Sequence, residues 1–257
     1  MKFNRLLALL LSAMLIFTTV AFVACNTDNE SKLPDLDADL YSGNYVATTA
    51  KTESKKLCKY LDDFMPRNDE GTMIGKSHLF LSFTSNTDSE YTSYKGFCLS
   101  DDTQAIEQFD YVNKTSVDNK EQTTDGKLWV DTHNGKLYVD ITTTVDKTDT
   151  EIKGEYSSSS AEWKTYLALT STISLPDMVN QIKDSINKDT AKLYKASKNN
   201  YKVESTIDGD KATLYIYVAG KAVCLRFEVN QNDGTLILDA RPTDQTATLP
   251  EDLTTFK

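Results

Sequence analysis

Four dipeptides of the kind that reverse a chain in two residues punctuate this sequence: Asn134-Gly135, Asp208-Gly209, Ala219-Gly220 and Asp233-Gly234. Each lies between runs in which apolar and polar residues alternate. A type I′ turn needs positive φ at both central residues, which Asn, Asp and Gly accept. Each dipeptide therefore predicts a β-hairpin, and the side-chain period of two lets its register be tested. The string GKLWVDTHNGKLYVD, residues 126–140, carries GKLxVD twice. Two copies are too few for a solenoid. With Asn134-Gly135 as the loop, Thr132 faces Leu137, Val130 faces Val139 and Leu128 faces Ile141. Trp129 opposite Asp140 and Asp131 opposite Tyr138 take the other side. A loop at Asp208-Gly209 sets Val203 against Leu214 and Tyr201 against Ile216. Ala219-Gly220 sets Ile216 against Val223 and Leu214 against Leu225. Asp233-Gly234 sets Val229 against Leu238 and Phe227 against Ala240. Three independent turns thus place one apolar set on one face of a four-strand meander. Ala219 disfavours positive φ, so a longer loop is the alternative there.

Other segments fit around these hairpins. Ser77–Ser85, Tyr91–Ser100 and Ala105–Val117 alternate or cluster Leu, Phe, Tyr and Val between polar turns, as strands do. Glu151–Tyr156 is a further strand. Thr49–Met65 reads as a helix, with Leu57, Tyr60, Leu61, Phe64 and Met65 on one stripe and Pro66 ending it. In the segment Trp163–Lys195, Ser174-Leu175-Pro176-Asp177 is a helix start: Ser at the cap, Pro in the first turn and Asp favouring the dipole. Leu175, Met178, Val179, Ile182 and Ile186 then form its stripe. The predicted fold class is α+β: a curved antiparallel sheet, a meander of half-barrel type, with helices packed on one face.

The amino end reads as an export address. Lys2 and Arg5 precede the apolar run LLALLLSAMLIFTTVAFVA, residues 6–24. A positive start, an apolar middle and a small residue before a cut describe a signal peptide. The string Ala21-Phe22-Val23-Ala24-Cys25 resembles the bacterial lipobox, in which a cysteine receives diacylglycerol and becomes the mature amino terminus. It matches at Ala24 and Cys25 and departs from the usual Leu, Val or Ile at Phe22. The alternative is an uncut anchor, since about 19 apolar residues can cross a bilayer. The expected organisation is a signal peptide over residues 1–24, the lipidated Cys25 with a flexible acidic tether to residue 43, and one domain over 44–257. This places the protein outside the cytoplasm, lipid-anchored at the bacterial cell membrane or surface.

Charge and composition exclude several functions. The chain carries 28 basic and 38 acidic residues, a net charge of −10. Removing residues 1–24 takes away two bases and no acid, which leaves −12. Such a surface is unsuited to nucleic acid, which needs clustered Lys and Arg. Two His cannot build a multi-histidine metal site, and Cys58, Cys98 and Cys224 lack the paired spacing of zinc ligands. Those three thiols are either buried apolar residues or a disulfide with one left over. No GxSxG, HExxH or GxxxxGK[ST] string occurs. His78 opens a strand and His133 precedes a turn. Asp62-Asp63, Asp101-Asp102 and Glu251-Asp252 are adjacent acids in polar surroundings, unlike a glycosidase pair across a cleft. The expectation is a protein with no cofactor, no metal and no catalytic step.

The order of these elements resembles that of the LolA/LppX-like lipoproteins of bacterial envelopes over Tyr45–Leu253. The likeness rests on the order itself, on Trp163-Lys164-Thr165-Tyr166 leading into Leu175-Pro176-Asp177, and on the ending Thr248-Leu249-Pro250-Glu251-Asp252-Leu253. The resemblance implies a curved sheet whose concave side is plugged by helices, around an apolar cavity that carries lipid or an acyl chain. Val139, Ile141, Leu214, Ile216, Leu225 and Phe227 are then either ordinary core or the cavity wall. A different reading sets an interaction surface on the other face. Trp129 and Tyr138, with Tyr215 and Tyr217 on the second sheet, form an aromatic patch for an envelope protein or glycan unless another layer covers them.

Overall fold

The structure is a computed structural model that describes residues 33–49, 51–64, 77–100, 104–117, 120–164 and 175–256. The apolar run, Cys25 and the first part of the tether lie outside these residues. So do Met65, Asp101 and Asp102. Among the described residues no helix is long and apolar enough to cross a membrane.

The chain forms one open, curved sheet of twelve antiparallel strands. In chain order they are β1 (Val46–Thr48), β2 (Ser77–Thr87), β3 (Glu90–Ser100), β4 (Ala105–Val117), β5 (Lys120–Asp131), β6 (Lys136–Val145), β7 (Thr148–Ser157), β8 (Lys192–Lys195), β9 (Asn200–Ile207), β10 (Asp210–Ala219), β11 (Ala222–Gln231) and β12 (Gly234–Pro242). Helix α1 (Lys51–Phe64) precedes β2, and α2 (Leu175–Asn187) lies between β7 and β8. The spatial order β1-β8-β9-β10-β11-β12-β2-β3-β4-β5-β6-β7 shows two meanders fused through the β12–β2 pair. Leu238 opposite Phe83 and Ala240 opposite Leu81 make that seam continuous with the core.

The expected faces hold in all four hairpins, but the register holds in one. Asp208 (φ 50°) and Gly209 (φ 94°) form the two-residue turn foreseen, with Leu214 opposite Val203 and Ile216 opposite Tyr201. Elsewhere the pairing is displaced by two residues. Val130 meets Leu137 and Leu128 meets Val139. The Asp131 carboxylate accepts from Asn134 N at 2.9 Å and Asn134 Nδ2 at 2.7 Å, which closes a loop over 132–135 in which Gly135 alone has positive φ. Ile216 meets Leu225, with Gly220-Lys221 as the loop. Gly220 has a φ of 62° and occupies the first central position, the glycine place of a type II′ turn. Phe227 meets Leu238, with Asn232-Asp233 as the loop. A two-residue displacement leaves every side chain on its own face.

Glycine permits the curvature. A Cβ on Gly96 would stand 1.9 Å from the Gln108 carbonyl oxygen, and one on Gly126 (φ 148°) 2.2 Å from that of Asp140. Both sit on the concave face, where neighbouring strands close in.

The helices cover the concave face over one part of the sheet. Leu57, Leu61 and Phe64 of α1 and Leu175, Met178, Val179, Ile182 and Ile186 of α2 join one core with Tyr201, Leu214, Ile216, Leu225, Phe227 and Leu238. Trp163, in a helical turn at 161–164 whose Ser160 hydroxyl accepts from Trp163 N at 3.0 Å, joins the same core. The described residues of both stripes read from sequence are the buried ones, except that Tyr60 is half-buried, its ring 5.9 Å from Tyr201.

The convex face is strapped by residues 33–43 on one side and by the segment after β12 on the other. Residues 33–43, expected to be tether, lie against β9–β12. Arg241 Nη1 donates to the carbonyls of Asp35 (3.2 Å), Leu36 (3.0 Å) and Ala38 (3.1 Å). Tyr41 is buried between the guanidinium groups of Arg226 and Arg241. At the other end Ala247 packs on Leu99 and Ile106, and Phe256 on Trp129 and Tyr138. Between the straps runs a row of alternating charge, Lys95, Asp110, Lys127, Asp140 and Lys153, each opposite the next. Opposite charges in direct register stabilise the pairing.

Candidate functional site

The helices do not reach the far end of the sheet. Twelve strands at about 4.8 Å span roughly 50 Å. Two helices side by side cover about 20 Å. They pack on each other and on β9 and β11. Among the described residues, the concave face of β4–β7 continues past them as a trough.

The trough is graded. Next to the core a row runs across the strands through Phe83, Tyr94, Tyr111, Gly126, Ile141 and Ile152. Phe83 and Tyr94 are buried, Tyr111 and Ile141 half-buried, and Ile152 is 41 % exposed. The row therefore passes from core to open surface without leaving one face. Tyr94 and Tyr111 stack with centroids 4.8 Å apart, and Tyr111 stands opposite the bare backbone of Gly126. Burial first, and the Glu90 carboxylate second, push the Tyr111 phenol up to about 12. It is a neutral hydroxyl at any ordinary pH.

One step towards the hairpin tips the row is polar: Ser85, Thr92, Asn113, Thr124, Thr143 and Thr150. Asn113 Nδ2 donates to Glu90 Oε1 at 2.6 Å and to Thr92 Oγ1 at 2.7 Å. The Thr124 and Thr143 hydroxyls bond each other at 3.0 Å. Beyond lie Glu90, Thr115, Gln122, Val145 and Thr148. An apolar strip thus borders a strip of hydroxyls and amides.

The residues singled out in the sequence divide accordingly. Leu214, Ile216, Leu225 and Phe227 are at 0 % exposure, and a side chain facing a void wide enough for water would keep some accessible surface. These four are core and line no open cavity in this conformation. Val139 (8 %) and Ile141 belong to the trough's inner end. The aromatic patch is not bare. Phe256 stands edge-on to Trp129 (5.8 Å, 85°) and Tyr138 (5.6 Å, 81°), and both are buried. Tyr215 lies under Tyr41 and Tyr45, and Tyr217 is half-buried. Cys25 lies outside the described residues.

The chemistry-bearing groups stay apart. His78 and His133 are exposed on the strand end and the loop. Asp62 pairs with Lys183, and the Asp252 carboxylate accepts from Thr254. Cys58, Cys98 and Cys224 are free thiols. Cys98 and Cys224 lie on opposite faces of the sheet, and burial pushes Cys224 up to about 12 and Cys98 well above its ordinary value. Among the described residues no group of His, Cys, Asp or Glu could hold a metal ion. A groove of about 380 Å³ opens between Leu33–Asp37 and Thr243–Gln245, but Asp37 there pairs with Lys95 and Asp35 closes its own turn.

Sequence reasoning missed Tyr111, Asn113, Thr124, Thr143 and Ile152. A signal existed: on the concave side β5 runs Val130, Leu128, Gly126 and then Thr124 and Gln122, β6 runs Leu137, Val139, Ile141 and then Thr143, and β4 turns from Phe109 and Tyr111 to Asn113 and Thr115. That change marks where the helical cover ends. No protein-family model, curated protein or solved structure matches this chain.

Proposed function

We propose that the protein is a lipid-anchored extracytoplasmic lipoprotein that binds a hydrophobic or amphipathic ligand, a lipid or acyl chain, without transforming it. The signal-like amino end and Cys25 support the anchor. The trough supports the ligand. The observation that carries the reading is the Ile141–Ile152 pair, apolar, the first half-buried and the second exposed, on the face that is otherwise the core. An acyl chain laid along Ile152, Ile141 and Tyr111 removes that surface from water, at about 25 cal/mol for each Å² buried. The polar strip beside it leaves room for a head to stay hydrogen-bonded. Two acyl chains on Cys25 hold a protein stably at a bilayer where one is marginal.

Native mass spectrometry of the protein purified from a bacterium that makes it tests both halves at once. The expected result is a mature chain beginning at an acylated Cys25, with a non-covalent lipid adduct that Ile141→Glu abolishes. An unmodified amino end would remove the anchor. An adduct-free spectrum, or an adduct indifferent to Ile141→Glu, would remove the trough.

A further inference from the structure

The sheet is open, and its two edges are not alike. β1 has three residues, too short a row to template a partner. β7 has ten, without proline, and its pairing with β6 runs without a bulge from Val145–Thr148 to Lys136–Ser157. Among the described residues no strand pairs with its outer side, and Thr148–Lys153 are exposed. Beyond it Ser158 lies against Gly135 in the β5–β6 loop and Trp163 joins the core, both inward of the edge. The turn before β7 fixes which backbone groups the edge offers. Asp146-Lys147 is a two-residue loop with φ values of 50° and 66°, a type I′ turn, so its flanking pair Val145–Thr148 is hydrogen-bonded. Alternation along the ladder then turns Thr148, Thr150, Ile152 and Gly154 towards β6. The N–H and C=O groups of Asp149, Glu151, Lys153 and Glu155 point outward. The side chains of these four all lie on the convex face, in line with Asp140 and Tyr138. The edge thus lacks the bulge, the proline and the inward-pointing charge with which sheets protect such a row.

We propose that β7 pairs with β7 of a second copy of this chain, antiparallel, across a two-fold axis at Ile152. Residues directly opposite in an antiparallel pair share a face, so the axis falls on a residue. An axis on Glu151 would set Glu151 against itself, and one on Lys153 would do the same to Lys153. An axis on Ile152 sets Glu151 against Lys153 of the second copy, twice by symmetry, as hydrogen-bonded pairs of opposite charge. Ile152, 41 % exposed in the single chain, then meets its own copy at a non-hydrogen-bonded position, where side chains come closest. Asp149 meets Glu155, whose charge Lys136 already matches. An axis on Gly154 would match Lys153 with that same carboxylate and leave Glu151 facing Ser157 without a cation. With the axis on Ile152, both rows that cross the sheet continue into the second copy. The alternation Lys127, Asp140, Lys153 goes on to Glu151, and the row Tyr111, Gly126, Ile141, Ile152 goes on to Ile152 and Ile141. The axis is perpendicular to the sheet, so residues 33–43 of both copies lie on one side. That suits two tethers entering one bilayer, but the pairing itself needs neither anchor nor ligand.

The test uses the full-length chain in a mild detergent, followed by sedimentation velocity. The wild-type protein is expected to pass from monomer to dimer as its concentration rises. Glu151→Lys and Lys153→Glu each set like charges face to face at two symmetric places, and each alone should weaken the dimer about tenfold or more. Mixing the two variants should restore a dimer, because every facing pair is then again of opposite sign. Lys153→Glu also loses its own bond to Asp140 and its place over the Phe256 ring. Mixing cannot repair those losses, so the recovery reads the interface alone. Ile152→Cys in a Cys58→Ser background should oxidise to a dimer whose bridge, located by peptide mapping, joins the two introduced thiols. Glu151→Cys or Lys153→Cys in the same background should give no such bridge. A chain that stays monomeric at every concentration would overturn the proposal, and so would a dimer that neither reversal weakens or variants that do not recover on mixing. A bridge at position 151 or 153, or weakening by Lys153→Glu alone, would overturn the axis at Ile152.

Discussion

Arg241→Ala should release the amino-terminal strap from the convex face while the sheet stays folded. Arg241 is 3 % exposed, and three of its contacts are backbone carbonyls of a segment that has no secondary structure of its own. Each hydrogen bond from a charged donor contributes about 1.5–3 kcal/mol. They are not additive, because one nitrogen serves all three. Losing them together with the guanidinium over the Tyr41 ring, at 5.5 Å, amounts to about 3–5 kcal/mol, the scale of removing one member of a buried charged set. Against this, every residue of the strap that comes free regains about 1–2 kcal/mol of backbone entropy. The remaining ties are the Asn200 amide on the Leu40 and Ser42 carbonyls, at 3.0 and 3.2 Å, the exposed Asp37–Lys95 pair, and Tyr41, buried against Arg226 and Tyr215. They do not balance the entropy of about ten residues. The segment therefore lets go, and the loss of global stability stops at about 2–4 kcal/mol.

Hydrogen exchange read by mass spectrometry decides the matter. Amides of residues 35–41 should lose protection in Arg241→Ala, whereas those of β10 and β11 keep theirs at low denaturant. Asn200→Ala should give a weaker form of the same result. Unchanged protection of 35–41 in Arg241→Ala would refute the reasoning, and so would a uniform loss over the whole sheet. For the proposed anchor the consequence is one of reach. From Cys25 to Leu33 an extended chain spans at most about 28 Å. Freed to Tyr45, the same tether spans about 70 Å. The strap thus sets how far the proposed anchor lets the domain stand from the bilayer.

Three further outcomes are expected. Phe227→Ala removes a fully buried ring opposite Leu214 and Leu238 and should lower stability by about 3–5 kcal/mol, seen as a shift of the urea midpoint; a loss below about 1 kcal/mol would show a loosely filled core. Of Cys58, Cys98 and Cys224, thiol labelling at neutral pH should modify only Cys58 in the folded domain and all three in urea, since Cys98 and Cys224 are buried and burial raises both far above their ordinary values; rapid labelling of Cys224 would contradict the strap above it. Glu204 is held below the ordinary carboxylate range, first by its bond from Lys202 at 2.8 Å and then by that from Tyr194 at 2.9 Å. A depressed native value stabilises fully above the unfolded value, near 4.5, and the benefit is lost as pH falls through the native one. Glu204→Gln should therefore shrink the stability difference between pH 7 and pH 3, by a small amount because the pair is partly exposed.

The fold was legible in the sequence to the extent that side-chain parity defines it. Ala212, Leu214, Ile216 and Val218 alternate with Thr213, Tyr215 and Tyr217, and no pairing of β10 could have buried both sets. Register is a different quantity. A displacement by two keeps the parity, so the pattern around Ala219-Gly220 fits two pairings equally well. Turn chemistry selects between them: Ala219 avoids left-handed φ, Gly220 accepts it, and the loop moves one residue on. Asp146-Lys147 closes β6 on β7 with φ values of 50° and 66°, although neither residue is glycine, and nothing local in that dipeptide announces it. The strands β1 and β8, of three and four residues, are too short for a period to show.

The site was less legible because it depends on what covers what. Six apolar residues chosen from one face proved to be of two kinds, four under the helices and two beyond them, and the sequence carries no measure of how far a helix reaches across a sheet. The aromatic face was left undecided between bare and covered for the same reason. Trp129 and Tyr138 are adjacent by register, yet the residue that covers them, Phe256, lies more than a hundred positions away, in a tail of Asp, Thr and Glu. Parity tells which side of a sheet a residue occupies, and only the packed structure tells whether that side is closed. In β4–β7 the two can be combined. A face that is apolar near its core end and hydroxyl-bearing beyond it has been arranged neither for burial nor for plain solvation, since burial would keep Ile141 and Ile152 covered and solvation would bring the lysines and aspartates of the convex row inside. The interface between those two strips is where an amphipathic molecule satisfies both, and that is the physical ground on which the trough, rather than the filled half of the shell, is the place to look for a ligand.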